Sequence, residues 1–149
     1  MPFKSAIENG VPMIMAAHIL CTELDENYPA SMSKNIITDL LRDEMGFEGV
    51  VITDDLTMGA ISESYSFGDA AVLSINAGCD ILSICFGEDN VKQAVKAIKE
   101  AVENGAITEE RIDESVRRIL KLKEDYNVTS EGVEMPDIDE LNSKTAKFQ

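Results

Sequence analysis

Three short runs, almost wholly apolar and each followed by a segment with helical periodicity, limit this fold more than any other feature. They are Val11–Ala17 (VPMIMAA), Gly49–Asp54 (GVVITD) and Cys79–Cys85 (CDILSIC). Their starts lie about 30–40 residues apart, the spacing of βα units. Strands apolar on both faces and joined by helical crossovers specify a parallel α/β sheet covered on both sides. Two architectures meet that description, a doubly wound sheet and a segment of a (β/α)8 barrel.

The helical segments are bounded by ordinary stop and start signals. Phe3–Glu8 reads as the end of a helix stopped by Asn9-Gly10. Ser33 caps a helix through about Met45, with Ile36, Ile37, Leu40 and Leu41 as its apolar stripe and Gly46 as its end. Gly68–Ala77 is helical and ends at Gly78. Asn90–Glu103 turns Val91, Ala94, Val95, Ala97, Ile98, Ala101 and Val102 to one side. Thr108 caps the last helix without a capping box, because Arg111 stands where Glu or Gln would reach back. Its predicted buried face is Ile112, Val116, Ile119, Leu120 and Leu122, and it ends near Tyr126-Asn127. Residues 128–149 show no firm period. The expected organisation is one folded unit over 1–127 and a C-terminal tail over 128–149, in keeping with a 149-residue chain.

Charge narrows the partners. With 28 acidic and 13 basic residues the net charge is −15, a surface that repels phosphate backbones and anionic membranes. The three cysteines, Cys21, Cys79 and Cys85, form no C-x-x-C pair and argue against a disulfide framework or a zinc knuckle. Cys79 and Cys85 read as small buried hydrophobes. This usage slightly favours a reducing, cytoplasmic compartment and leaves secretion open. No apolar run reaches the roughly 18 residues that span a bilayer. Met1-Pro2-Phe3-Lys4 has no apolar signal region. There is no phosphate loop and no G-x-S-x-G elbow, and no cofactor is expected.

In either architecture the chemistry belongs at the C-terminal ends of the strands. The first run ends at His18, the only histidine; the second ends at Asp54-Asp55; the third offers neither carboxylate nor imidazole. His18 either closes its strand by bonding backbone or lines a pocket. Adjacent residues on a strand point to opposite faces, so one aspartate faces the site and the other does not. By themselves the pair fits a turn cap, a nucleophile, a general base or a metal ligand. The metal alternative is a Mg²⁺ site in a small doubly wound domain. The methionines at 13, 15, 32, 45 and 58 read, on spacing alone, as core.

The motifs add a resemblance. Pro2-Phe3-Lys4-Ser5-Ala6-Ile7 with Gly10-Val11, then Met15-Ala16-Ala17-His18, is similar to the "PF-x-x-AI-x-x-GV … M-x-AH" segment of family 3 glycoside hydrolases. Pro29-Ala30-Ser31-Met32-Ser33 resembles their "PA-S-x-S" turn. Residues 40–58, LLRDEMGFEGVVITDDLTM, resemble the nucleophile signature "LLR-x-x-x-GF-x-GVV-x-[ST]DDL-x-M" of the β-N-acetylglucosaminidase branch. Ala77–Leu82 and Arg111–Leu120 resemble the segments that finish the barrel.

The resemblance implies the C-terminal part of a (β/α)8 TIM-like barrel, about three βα units plus a final helix. It implies a retaining β-N-acetylglucosaminidase acting on N-acetylglucosamine-containing glycans, cell-wall muropeptides among them. Asp54 falls on the nucleophile. His18, Asp55 and Met58 fall on the substrate side of the site, Asp55 with a supporting hydrogen-bond role. No metal is implied. The branch's "KH-[FI]-PG-HG" and "D-[ST]-H" segments, which supply sugar contacts and a His-Asp acid/base pair, do not occur in this sequence. The chain is therefore expected to carry a nucleophile without its acid/base, and to pair with a separate N-terminal barrel half or with itself through open strand edges. The alternative is a non-catalytic interaction or assembly module in which Asp54 is idle.

Overall fold

The structure is a computed structural model and describes residues 2–129 together with 137, 138, 142 and 143. The elements run α1 (Pro2–Glu8), β1 (Met13–Ala16), a 3₁₀ turn (Ala30–Met32), a π-helix (Asn35–Glu44), β2 (Val50–Asp55), α2 (Gly59–Ser62), α3 (Phe67–Ala77), β3 (Ile81–Ser83), α4 (Glu88–Glu103) and α5 (Glu109–Asp125). Most of the tail expected over 128–149 lies outside the described residues.

The three strands form a parallel sheet in the order β1-β2-β3. Register places Met15 beside Ile52 and Ile52 beside Ile81. Met13, Met15, Ile52 and Ile81 therefore share one face, and Ile14, Ala16, Val51, Thr53 and Leu82 share the other. The second face is the covered one; on the first, Val50 at the N-terminal end of β2 is buried, at 1% exposure, beside Met13. On the covered face Ala16 and Val51 pack with Ile37 and Leu41 of the π-helix, Phe47, Ala77 of α3 and Cys79, with Ile14 and Leu82 against them. None of Met13, Met15, Ile52 and Ile81 joins that core, and Met15 is 57% exposed. The expected burial of both faces is thus corrected. The crossover helices all pack on one side of the sheet, as in a barrel, whereas a doubly wound sheet places them on both.

β3 is shorter than the predicted Cys79–Cys85 because side chains take over its ladder. Thr53 Oγ1 accepts the Ser83 N–H at 3.0 Å and Asp55 Oδ1 accepts the Cys85 N–H at 3.0 Å, where β2–β3 register shifts. Cys85 is consequently exposed, contrary to the expected burial. Cys79 is buried, and burial, with Asp80 nearby, pushes its thiol up to about 12. Gly49 brings two segments close together: a Cβ there would lie 2.6 Å from the Pro12 carbonyl oxygen. Gly78 ends α3 at φ 115°, where a Cβ would meet Thr38 Oγ1 at 2.8 Å.

Ser33 caps the π-helix as expected, its Oγ accepting the Ile36 N–H at 3.2 Å. Bonds five residues apart, such as Met45 N–H to the Leu40 carbonyl at 2.9 Å, close its last turn. Of the stripe, Ile37 and Leu41 are buried and Ile36 and Leu40 half-buried. On α4 only Ala94 and Ala101 are buried, while Val91 and Val95 face outward. Small residues let α3 and α4 approach: a Cβ on Gly68 would lie 2.9 Å from that of Ala97.

The predicted face of α5 is also corrected. Val116 and Leu120 are 45% and 58% exposed, and the one buried residue of the helix is Ser115. A buried carboxylate turns the helix. Asp80, whose side chain is wholly buried, accepts from Arg42 Nη2 at 2.7 Å, Val51 N–H at 2.9 Å, Ser115 Oγ at 2.7 Å and Arg118 Nη1 at 3.2 Å. Arg111 Nη2 lies 3.6 Å away and donates to the Cys79 carbonyl at 2.8 Å. The helix thus docks through Arg111, Ser115 and Arg118. This bolt lies at the N-terminal end of β3, the end that carries stability rather than catalysis in a barrel.

Among the described residues, Ser74 on α3 has no solvent exposure and its Oγ has no hydrogen-bond partner. Its desolvation is uncompensated, so Ser74→Ala is expected to raise stability by about 1 kcal/mol. A higher urea midpoint with an unchanged slope is the expected reading, and a lower midpoint contradicts it.

Candidate active site

The C-terminal end of β2 and the loops after β1 and β3 meet at one place. Asp54 shares the uncovered face with Ile52 by strand alternation, and Asp55 points the other way. The local fold fixes the Asp54 carboxylate: its Oδ1 accepts the N–H of Asp55 at 2.8 Å. Asp54 is partly exposed and bonds no other protein group in the described residues, which leaves its second oxygen open to the uncovered side.

Asp55 is committed to the protein. Oδ1 accepts the Thr57 and Cys85 N–H groups, each at 3.0 Å, and Oδ2 accepts Thr57 Oγ1 at 2.6 Å. Partial burial works to raise its pKa, but the bonds from Thr57 and Cys85 overcome it and hold the carboxyl at about 2 instead of 3.8. His18 is committed too. Nδ1 lies 2.7 Å from Ser31 Oγ and Nε2 lies 3.0 Å from the Asp55 carbonyl oxygen. Met58 stands just before α2, donates its N–H to that same carbonyl at 3.0 Å, and is 46% exposed. The structure therefore gathers Asp54, Asp55, His18 and Met58 at one end of the sheet, with Asp54 and Met58 presenting accessible side chains.

Several residues here went unread as site residues. Ser31 is fully buried under His18 and accepts Cys79 Sγ–H on its carbonyl at 3.4 Å. Thr57 anchors Asp55. Asp25 accepts Ser33 Oγ–H at 2.6 Å, Asn27 N–H at 2.9 Å and Tyr28 N–H at 3.1 Å, knotting the β1–π-helix loop. The Ser33 hydroxyl, with the Asn27 and Tyr28 amides, lowers its pKa. Asp in D-x-N-Y form was a usable turn signal. Among the described residues no group of three or more His, Cys, Asp or Glu is placed to hold a metal, and no helix is long and apolar enough to cross a membrane.

The Asp55 anchor sets a pH dependence. Its folded pKa lies below its unfolded value, so its contribution is full above about pH 4 and fades as pH falls toward 2. The stability gap between the native chain and Asp55→Asn is expected to narrow from pH 5 to pH 2. Urea midpoints that stay parallel across that range contradict the assignment.

A model of the glycosyl hydrolase family 3 N terminal domain matches residues 1–122. The chain belongs to glycoside hydrolase family 3. Among its family 3 relatives, beta-hexosaminidase A of Pseudoalteromonas piscicida is 35% identical over 141 residues, covering 83% of this chain and 24% of the relative. A beta-hexosaminidase of Nitrosomonas eutropha is 32% identical over 126 residues, covering 83% of this chain and 36% of the relative. A solved family 3 β-N-acetylglucosaminidase from Paenibacillus sp. superposes with a TM-score of 0.87 at 41% identity, over 92% of this chain and 26% of that one. The β-N-acetylglucosaminidase of Thermotoga maritima gives 0.74 at 31% identity, over 81% of this chain and 27% of that one. The family 3 chain thus spans from about a quarter to just over a third of these relatives' own length. The expected fold class stands: an α/β chain with the architecture of part of a family 3 TIM-like barrel.

Proposed function

We propose that this family 3 chain supplies the nucleophile strand of a retaining β-N-acetylglucosaminidase site, with Asp54 as nucleophile. One observation carries the reading: Asp54 stands at the C-terminal end of the central strand, on the uncovered face, its carboxylate fixed through one oxygen and open through the other. That is the place and form of a barrel nucleophile. The hexosaminidase and β-N-acetylglucosaminidase relatives support N-acetylglucosamine-containing glycans as substrate.

In such a reaction the carboxylate attacks the anomeric carbon while an acid protonates the departing oxygen, and water then releases the glycosyl-enzyme. Asp54 would do the first task. Asp55 holds the turn after it through Thr57 and Cys85, and Met58 offers an apolar side chain to the sugar. His18 and Asp55 have their polar side-chain atoms bonded within the protein, so neither is free to protonate the departing oxygen, and the reading draws its acid from an N-terminal barrel half. Lack of a general acid costs about 10²–10⁴-fold. The three-stranded sheet does not close an eight-stranded barrel, so the reading requires an N-terminal barrel half.

The test is hydrolysis of a chromogenic β-N-acetylglucosaminide by the chain alone and by the chain mixed with the upstream barrel half of a relative. Hydrolysis in the mixture that Asp54→Asn removes supports the reading. A mixture shown to assemble, yet inactive, favours the second one, a non-catalytic assembly module. The feature behind that second reading is the open β1 edge with exposed Met15, Ile19, Leu20 and Leu24 near it.

A further inference from the structure

His18 stands at the end of β1 with neither ring nitrogen free. A backbone carbonyl only accepts, so Nε2, 3.0 Å from the Asp55 oxygen, carries the proton. In the Nε2–H tautomer, Nδ1 accepts from Ser31 Oγ–H at 2.7 Å. Ser31 is itself immobilised: it is fully buried, its N–H reaches the Ala17 carbonyl at 3.3 Å, and its carbonyl accepts Cys79 Sγ–H. The peptide that His18 grips is flanked by the group that matters. Its carbonyl belongs to Asp55, and the Asp55 N–H is the donor that fixes Asp54 Oδ1 at 2.8 Å.

We propose that His18 is a positioning residue that holds the Asp54 carboxylate in its attacking orientation through the backbone of Asp55, and that it does not touch the sugar. The relay runs from buried Ser31 to the imidazole, to the Asp55 carbonyl, and from the Asp55 N–H to Asp54. It ties the loop after β1 to the end of β2, the two segments whose relative position sets the direction of the free Asp54 oxygen. The proposal deepens the nucleophile reading and rests on it, but its first tests need no turnover.

Because the chain has a single histidine, its imidazole nitrogens give one unambiguous set of ¹⁵N signals. The expected spectrum is the Nε2–H tautomer alone, turning into a tautomer mixture in Ser31→Ala. An Nδ1–H ring, or a fast-averaged one in the native chain, overturns the proposal. Amide exchange supplies the second arm. In His18→Phe the Asp55 N–H should exchange about fivefold faster while Val51, lower on the same strand, keeps its rate. His18→Gln, which can still donate to the Asp55 carbonyl, should restore most of the protection. No change at Asp55, or equal acceleration at Val51, reduces His18 to general packing and overturns the relay. In the assembled barrel His18→Phe should lower kcat with KM unchanged, and a rise in KM alone would make His18 a substrate contact. Full hydrolysis by Asp54→Asn would sink the nucleophile reading separately, whatever the imidazole spectrum.

Discussion

Asp54→Asn lowers hydrolysis of a β-N-acetylglucosaminide by about 10⁴-fold or more in a barrel completed around this chain. The amide keeps the shape of the carboxylate and can still accept the Asp55 N–H that now bonds Oδ1 at 2.8 Å. It cannot form the glycosyl-enzyme. The loss should therefore fall on kcat, with the stability of the chain within about 0.5 kcal/mol of native, as for a partly exposed site outside the core. Steady-state kinetics and a denaturation curve on the same preparation check both halves. A tenfold loss would mean that Asp54 only assists, and a collapse in stability would mean that the carboxylate holds the fold.

Asp80→Asn carries the largest effect expected on stability, about 3–5 kcal/mol. Asp80 is the wholly buried carboxylate beside Arg42, Arg111 and Arg118, whose side chains are 10%, 16% and 25% exposed, while the half-exposed Glu114 lies 3.9 Å from Arg118 at the edge of the cluster. Removing its charge leaves three cations facing one another with little water to screen them. Arg42 would suffer most, since it is the most buried of the three and its Nε already lacks a partner. With domain stabilities of about 5–15 kcal/mol, such a loss approaches unfolding at ordinary temperature. A urea titration reads it directly. Arg118→Ala, at the more exposed edge of the cluster, should cost clearly less, and equal losses for the two variants would contradict the bolt.

The strands and helix order were legible because they rest on periodicity and punctuation, which left a doubly wound sheet and a barrel segment both open; the motif resemblance is what implied the barrel. The β2 signature places Asp54 at a strand end. What was not legible depended on side chains meeting across the fold. Val116 and Leu120 looked buried because helical spacing favours them, yet Asp80, 30 or more residues earlier in the sequence, pulls Arg111, Ser115 and Arg118 inward instead. β3 looked seven residues long because nothing in a single run tells that Thr53 and Asp55 will replace its ladder partners. Both faces of the sheet looked buried because a strand's composition does not say which element covers it. His18 could either bond backbone at its strand end or line a pocket, and only its distances to Ser31 and the Asp55 carbonyl show both nitrogens engaged.

The most direct test of the central claim is covalent trapping. The chain, assembled with an upstream barrel half, would be treated with a fluorinated β-N-acetylglucosaminide whose second step is slow, then digested and mapped by mass spectrometry. The account predicts one added glycosyl group on the peptide bearing Asp54, absent in Asp54→Asn. Hydrolysis by the assembled barrel with the label on another residue, or with inverted product and no label at all, would contradict it.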